Sequence, residues 1–159
     1  MKQKKQISAF DCALNFLSYR MRTEKEILDH LHKKQYPESE ISEAVDKLKE
    51  YRYLDDAAFA QEYIRSKAGQ KHLGRRALKQ GLYQAGVGEE EIEAALMDYS
   101  AEQEQECCDA LCQKLARRHG TEDAKCIAKI QRALLGKGFG YDEIKASIRK
   151  LVQETEESI

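Results

Sequence analysis

The stretch that decides the fold is residues 78–96, LKQGLYQAGVGEEEIEAAL, because two other parts of the chain share its pattern without a gap. Residues 27–45 read ILDHLHKKQYPESEISEAV, and residues 130–148 read IQRALLGKGFGYDEIKASI. Six core positions recur in each copy: Ile27, Leu31, Tyr36, Ile41, Ala44 and Val45, then Leu78, Leu82, Val87, Ile92, Ala95 and Leu96, then Ile130, Leu134, Phe139, Ile144, Ser147 and Ile148. Such self-similarity is typical of helical repeat proteins, and each copy predicts two helices joined by a tight turn.

The turns of the second and third copies contain the same glycines. Gly86-Val87-Gly88 and Gly138-Phe139-Gly140 place a glycine just past a helix, where a left-handed C-cap favours a residue without Cβ. The first copy has Gln35-Tyr36-Pro37 instead, so we expect either a less favourable backbone at Gln35 or a different turn. Acidic residues follow every turn, where the dipole of the next helix favours negative charge.

A third helix precedes each pair. Apolar residues at i, i+3, i+4 and i+7 indicate it, and capping sequences mark helix starts at Ser8, Thr23 and Ser100. The chain is therefore predicted to be all-α, with nine helices in three tandem three-helix repeats at 8–53, 55–99 and 101–153, between flexible termini at 1–7 and 154–159. Repeats stacked in series form an elongated, curved body, which favours binding of an extended partner. Gly81 falls inside a predicted helix, either as a tolerated defect or because another helix comes close there.

Composition fits this fold and excludes several classes of protein. Of the 159 residues, 35% are charged and only Pro37 is a proline, which favours long solvated helices. The sequence shows no secretory signal or membrane span, so a cytoplasmic protein is expected. We also expect a monomer. Cys107, Cys108 and Cys112 lack the spacing of a disulfide framework or metal site, and we interpret Cys108 and Cys112 as core thiols.

Charge is distributed unevenly along the chain. Residues 1–87 contain 17 Lys and Arg against 12 Asp and Glu, a net charge of +5, and residues 88–159 contain 10 against 16, a net charge of −6. Within the basic half, residues 65–79 contain six cations and no acid: Arg65, Lys67, Lys71, Arg75, Arg76 and Lys79. This cluster, with a loop around Gly69 and Gly74, is predicted to attract phosphates or an acidic protein surface; the alternative is a solvated loop.

Other residues are weaker candidates for a binding or catalytic role. Arg20 and Arg22 flank a predicted turn, where they could bind a partner or pair with nearby acids. The tyrosines, Tyr51 and Tyr53 among them, favour helix packing over base stacking. No catalytic triad, paired carboxylates or phosphate-binding glycine loop is present, so neither an enzyme nor a cofactor or metal site is predicted.

Three stretches, in this order, resemble the RecX family of recombination regulators. The first is Ala13-Leu14 with Leu17-Ser18-Tyr19-Arg20-Met21-Arg22-Thr23-Glu24, similar to the leucine- and arginine-rich opening of the family. The second is Leu54-Asp55-Asp56 followed by Phe59-Ala60, which resembles a family signature. The third is Gly74-Arg75-Arg76 leading to Gly86-Val87, similar to its basic helix and turn. The resemblance covers about residues 9–153, but departs from the family at Gly81.

The resemblance implies a function that the residues alone do not give. RecX-like proteins bind the RecA filament on single-stranded DNA and suppress its ATPase, strand-exchange and coprotease activities, which implies a role in DNA repair and the SOS response. Arg20, Arg22 and the cluster at residues 65–79 would then face the filament, and single- or double-stranded DNA is a further candidate partner through the basic half. Two alternatives stay open: a helix-turn-helix DNA-binding protein and a generic helical-repeat adaptor.

Overall fold

The computed structural model describes residues 6–157, and every regular element in this range is an α-helix. The helices are α1 (Ala9–Leu17), α2 (Glu24–Lys33), α3 (Glu38–Glu50), α4 (Asp56–Lys71), α5 (Arg75–Gln84), α6 (Glu89–Met97), α7 (Ala101–His119), α8 (Ala124–Gly136) and α9 (Tyr141–Glu157). No helix among the described residues is both long enough and apolar enough to cross a membrane. Within residues 6–157, the predicted all-α fold of nine helices is confirmed.

The chain divides into two compact units, and the division passes through the second repeat. The first unit contains residues up to Ala60 together with Leu82–Ile92, and the second contains Gln61–Gly81 together with the chain from Glu93 onward. The core of the first unit comes from α1, α2 and α3, where Ala13, Ile27, Leu31 and Leu48 are fully buried. Burial of these apolar side chains supplies the main stabilisation of this unit.

The second unit has its own core between α7, α8 and α9. Cys108, Ile130, Leu134 and Phe139 are fully or almost fully buried there, and Cys112 packs with them. Burial raises the pKa of the Cys108 thiol to about 12, so this cysteine stays protonated and packs like a small apolar residue. The interpretation of Cys108 and Cys112 as core residues is confirmed.

Helix starts follow the capping sequences. Thr23 and Ser100 each form a complete capping box with the residue three positions later, and Ser8 accepts a hydrogen bond from the backbone of Asp11. Asp55 likewise accepts a hydrogen bond from the backbone N–H of Ala58, as an N-cap residue does. Local sequence therefore fixes where these helices begin.

An equivalent backbone carbonyl accepts a hydrogen bond at the turn of every repeat. The carbonyls of Lys34, Ala85 and Lys137 occupy equivalent positions in the three copies. They accept hydrogen bonds from the Gln6 side chain at 3.1 Å, from Oγ1 of Thr23 at 2.6 Å and from the backbone N–H of Gly74 at 2.8 Å, respectively. In the second and third repeats, the donor belongs to the loop before helix two of the preceding repeat, so the turn is where consecutive repeats join.

The turn glycines have two roles: they allow a backbone with positive φ, and they leave room for the preceding repeat at the junction. Gly86 and Gly138 have φ of +90° and +93°, and a Cβ at Gly138 would lie 2.5 Å from both the backbone nitrogen and the Cβ of Ala77. Gln35, the equivalent residue of the first repeat, takes φ of 66° with its side chain retained. The first of the two expectations for Gln35, an unfavourable backbone, is therefore the one observed.

Gly81 makes room for a side chain of a neighbouring helix. A Cβ at this position of α5 would lie 2.0 Å from the hydroxyl of Tyr63 on α4. Burial raises the pKa of Tyr63, in keeping with a ring held against the glycine. Gly81 therefore makes room for the end of the Tyr63 side chain, which differs from both expectations, a close approach of helix backbone and a tolerated defect.

Three sequence-based expectations need correction. Gly69 lies inside α4, which continues to Lys71, because the surrounding Ala, Lys and Gln residues are good helix formers and outweigh one glycine. Helix α9 extends to Glu157, so residues 154–157 of the predicted flexible terminus are helical; residues 1–5, 158 and 159 lie outside the described part. Tyr51 and Tyr53 are 60% and 59% exposed and contact each other at the surface, and Tyr51 also packs on a helix, through an edge contact with Phe10 of α1.

Candidate functional site

The six cations predicted at residues 65–79 lie on the second half of α4 and the first half of α5, all in the second unit. Three residues, 72–74, separate the two helices, and His72 turns the chain with φ of 51°. The structure gives the cations different surroundings, and these decide which of them are accessible to a partner.

Arg75 is committed to contacts within the protein. Its guanidinium donates hydrogen bonds to the backbone carbonyls of Leu96, at 2.8 Å, and Tyr99, so it satisfies carbonyls at the end of α6. Its backbone N–H donates to the carboxylate of Glu104 at 2.5 Å, and that glutamate is only 6% exposed. Arg75 therefore joins α5, α6 and α7, and its geometry is that of a structural residue.

Arg76 uses only part of its guanidinium for contacts within the protein. Its Nη2 donates a hydrogen bond to the carbonyl of Leu135 at 2.6 Å, in the last turn of α8, while the residue remains exposed. A cation is favourable at the C-terminus of a helix, because the carbonyls there carry partial negative charge. The remaining N–H groups of Arg76 are available to a partner at the surface.

The other four cations are at the surface in varying degrees. Lys71 and Lys79 are exposed at the end of α4 and on α5. Arg65 is also exposed but forms an ion pair with Glu62 one turn earlier. The Lys67 ammonium lies 5.7 Å from the centroid of the Tyr63 ring, within range of a cation–π interaction. Among the described residues, Lys71 and Lys79 are thus the two of these four cations that are exposed without an ion pair or ring contact.

Arg20 and Arg22 differ from each other in the same way. Arg20 is half-exposed, with its guanidinium paired to Glu26 at 2.5 Å and bonded to the carbonyl of Met21 at 2.8 Å. The guanidinium of Arg22 stacks 3.8 Å above the ring of Phe16, and its side chain is 13% exposed. Burial and the adjacent charge of Arg20 lower the pKa of Arg22. Of the two, only Arg20 presents its charge to solvent.

A groove of about 610 Å³ lies in the second unit, lined by Ile64, Tyr99 and Cys107 among others. The thiol of Cys107 donates to the carbonyl of Ala68 at 3.1 Å, and burial raises its pKa. A reactive cysteine requires a lowered pKa. The direction of this pKa change is opposite to that of an activated cysteine, although the Cys107 Sγ lies 3.9 Å from Nδ1 of His72.

A second basic surface lies outside the predicted cluster. Residues 113–137, in the half of the chain with a net negative charge, contain seven Lys and Arg against two acids. Three of these cations, Lys125, Lys129 and Arg132, are exposed on α8. Averaging the charge over half the chain concealed this surface; a count in a window of about 25 residues would have found it.

Family models match the chain in three consecutive segments. The first, second and third three-helix domains of RecX match residues 9–48, 55–96 and 102–148, respectively. Each segment contains one set of three helices, so the matches and the architecture agree.

Curated relatives named regulatory protein RecX are similar over most of this chain. The protein from Oceanobacillus iheyensis is 33% identical over 90% of this chain and 53% of its own length. The protein from Leuconostoc mesenteroides is 34% identical, over 95% and 57%, and that from Clostridium botulinum is 36% identical, over 92% and 69%. The chain thus spans about half the length of the first two relatives.

Solved structures agree with the same family. The crystal structure of RecX from Lactobacillus salivarius superposes with a TM-score of 0.81 at 33% identity, covering 91% of this chain and 95% of that one. A second crystal structure of regulatory protein RecX gives a TM-score of 0.75 at 32% identity, covering 86% of this chain and 68% of the other.

Proposed function

This chain belongs to the RecX family of regulatory proteins, and from that premise we propose that it is a negative regulator of homologous recombination that acts on RecA. In this proposal it binds the RecA filament on single-stranded DNA and lowers the ATPase, strand-exchange and coprotease activities of the filament. The observation that carries the proposal is the presence of all three RecX domains in order between residues 9 and 148.

The surface of the second unit supports an electrostatic contribution to this binding. Lys71, Arg76 and Lys79 are exposed along the α4–α5 segment, where they would meet acidic side chains or phosphates of the filament. In this proposal Arg75 has a structural role, because its guanidinium is bonded to backbone carbonyls. Arg22 has a structural role as well, since it is stacked on Phe16. Arg20, Arg65 and Lys67 would contribute less, since each already has a partner within the protein.

The single-stranded-DNA-dependent ATPase rate of RecA, titrated with this protein at physiological salt, tests the proposal. We expect inhibition well below one copy per RecA monomer, because a protein bound along a filament affects several monomers. No inhibition at excess protein, with a cognate recombinase, would contradict the proposed function.

A pair of variants tests the surface separately. Lys71→Glu/Lys79→Glu is expected to raise the concentration needed for half-maximal inhibition, because like charges at an interface oppose association. Lys145→Glu/Arg149→Glu, two exposed cations on α9, is the matched control. Equal effects of both variants would show that inhibition responds to total charge and would remove the assigned surface.

A helix-turn-helix mode of DNA binding is disfavoured by the third helix of each repeat. Such a helix enters the major groove with its N-terminal residues against the bases. Here α3, α6 and α9 begin with acids, namely Glu38 and Glu40, Glu89 to Glu91, and Asp142 and Glu143. Phosphates on both sides of the groove would repel these first turns.

A further inference from the structure

The groove of the second unit is lined by residues of three helices. They come from α4 and the loop after it, from the end of α6 and from α7. Ile64, Ala95 and Tyr99 are buried and give the groove apolar surface, whereas most of its polar lining residues are exposed. A volume of about 610 Å³ lies within the range of sites that hold a ligand or the side chains of a partner.

Gly69 leaves part of this groove open. It lies inside α4, where a glycine costs about 1 kcal/mol relative to alanine. Its φ is not positive, and a Cβ at this position would meet no atom within 4 Å, unlike a Cβ at Gly81. Neither the backbone nor packing among the described residues therefore calls for a glycine here. What the missing side chain provides is space in the groove.

The groove also contains a hydroxyl that the fold leaves unpaired. Tyr99 is only 7% exposed, and its hydroxyl has no hydrogen-bond partner among residues 6–157. Burial raises the pKa of Tyr99, and the nearby thiol of Cys107, another lining residue, raises it further, so the hydroxyl stays protonated. A buried donor without an acceptor costs free energy, which an acceptor would recover. A backbone carbonyl of a bound peptide is such an acceptor.

Two acids of the groove have no ion pair in the described part of the chain. Asp98 follows α6 and Glu106 lies on α7; both are exposed, and none of the ion pairs there involves either of them. The lining cation Arg65 is already paired with Glu62. Unpaired carboxylates beside apolar surface favour a cationic occupant and repel phosphate.

We propose that this groove binds a short basic segment of a partner protein. An apolar side chain of the segment occupies the space beside Gly69, and a neighbouring Lys or Arg pairs with Asp98 or Glu106. This inference goes beyond the proposed function, because it requires neither RecA nor the exposed lysines of the cluster at residues 65–79. Its occupant carries the opposite charge to the one that those lysines would meet.

Nuclear magnetic resonance of the intact, isotope-labelled protein without RecA tests the proposal. The probes are two short peptides that differ only in charge: one has a central leucine between lysines, and the other has glutamates in place of the lysines. We expect the lysine peptide alone to cause saturable shifts of the backbone amides of Ala68, Gly69, Tyr99 and Cys107. No saturable shift with the lysine peptide, or equal shifts with both peptides, would overturn the proposal and leave the RecA proposal to its ATPase test.

Gly69→Leu fills the groove without disturbing the fold. The new side chain enters open space and leucine is a good helix former, so the melting temperature should stay the same or rise while binding of the lysine peptide is lost. Gly136→Leu is the matched control, because a Cβ at Gly136, at the end of α8, would also meet no atom within 4 Å. Wild-type binding by Gly69→Leu, or equal losses in both variants, would contradict the assignment.

The two acids are tested by Asp98→Asn/Glu106→Gln. This variant should bind the lysine peptide about two- to tenfold more weakly, the range expected for exposed ion pairs. Glu93→Gln/Glu102→Gln removes two exposed acids of α6 and α7 outside the groove lining and should bind like the wild type. Equal losses would mean that binding follows net charge alone and would overturn the proposal. Shifts of the same amides on raising the protein concentration without peptide would assign the groove to a second copy and overturn it as well.

Discussion

Two arginines that are adjacent in sequence have different roles here because their surroundings differ. The guanidinium of Arg75 satisfies two carbonyls at the end of α6, whereas Arg76 keeps most of its donors at the surface. An arginine with its planar fork bonded to backbone carbonyls cannot be replaced by lysine without leaving an acceptor unpaired. Residue type alone gives the same interpretation for both residues, and only their partners distinguish them.

At this scale we predict that Arg75→Lys lowers the free energy of unfolding by about 1–3 kcal/mol, since it leaves a partly buried carbonyl without a donor. Urea unfolding followed by circular dichroism measures this change. Arg65→Lys makes the same substitution at a side chain that is 78% exposed, and should stay within about 0.5 kcal/mol of the wild type. If Arg75→Lys is as stable as Arg65→Lys, the structural role of Arg75 is wrong.

Among the elements, the turns show why one repeat lacks the glycine that the other two contain. Gly138 is packed against the backbone of Ala77, from the loop and helix of the preceding repeat. In the first repeat, the side chain of Gln6 bonds to the turn carbonyl instead. Gln35 keeps a side chain at the backbone cost of a positive φ, whereas a side chain at position 138 would incur that cost and a steric overlap with Ala77 as well.

Opposite substitutions at these two turns should therefore have opposite effects. Gly138→Ala is expected to lower the free energy of unfolding by about 2 kcal/mol or more, because the backbone is left-handed and the new Cβ overlaps Ala77. Gln35→Gly should leave stability unchanged or raise it by up to about 1 kcal/mol. Thermal and urea unfolding of both variants measure this, and a similar loss in each would contradict the junction.

For the molecule as a whole, the compact units do not coincide with the repeats. The second unit combines Gln61–Gly81 of the middle repeat with the chain from Glu93 onward, which includes the whole third repeat. Hydrogen bonds from Gly74 to Lys137 and from Arg76 to Leu135 connect the two parts of this unit. The α4–α5 segment that carries the predicted basic cluster is therefore hydrogen-bonded to the third repeat.

A truncated protein containing residues 1–99 should reveal this dependence. Removing α7, α8 and α9 uncovers Gly74, Ala77 and the carboxylate-bound N-terminus of α5, so we expect lower stability, binding of a hydrophobic dye and self-association. Unfolding curves, dye fluorescence and light scattering measure these properties against the full chain. A truncated protein that stays monomeric and equally stable would contradict the division into units.

The sequence by itself determined the number of helices, most of their starts and the threefold repeat, because these depend on local signals: apolar spacing, capping side chains and turn glycines. It also indicated the family, through motifs that lie in order along the chain. It did not determine which cations are accessible. Arg75 and Arg22 are held by carbonyls and a ring elsewhere in the structure, and a long side chain chooses such partners only after the helices have packed. The same reason applies to Gly81, whose neighbour is the side chain of Tyr63 on another helix.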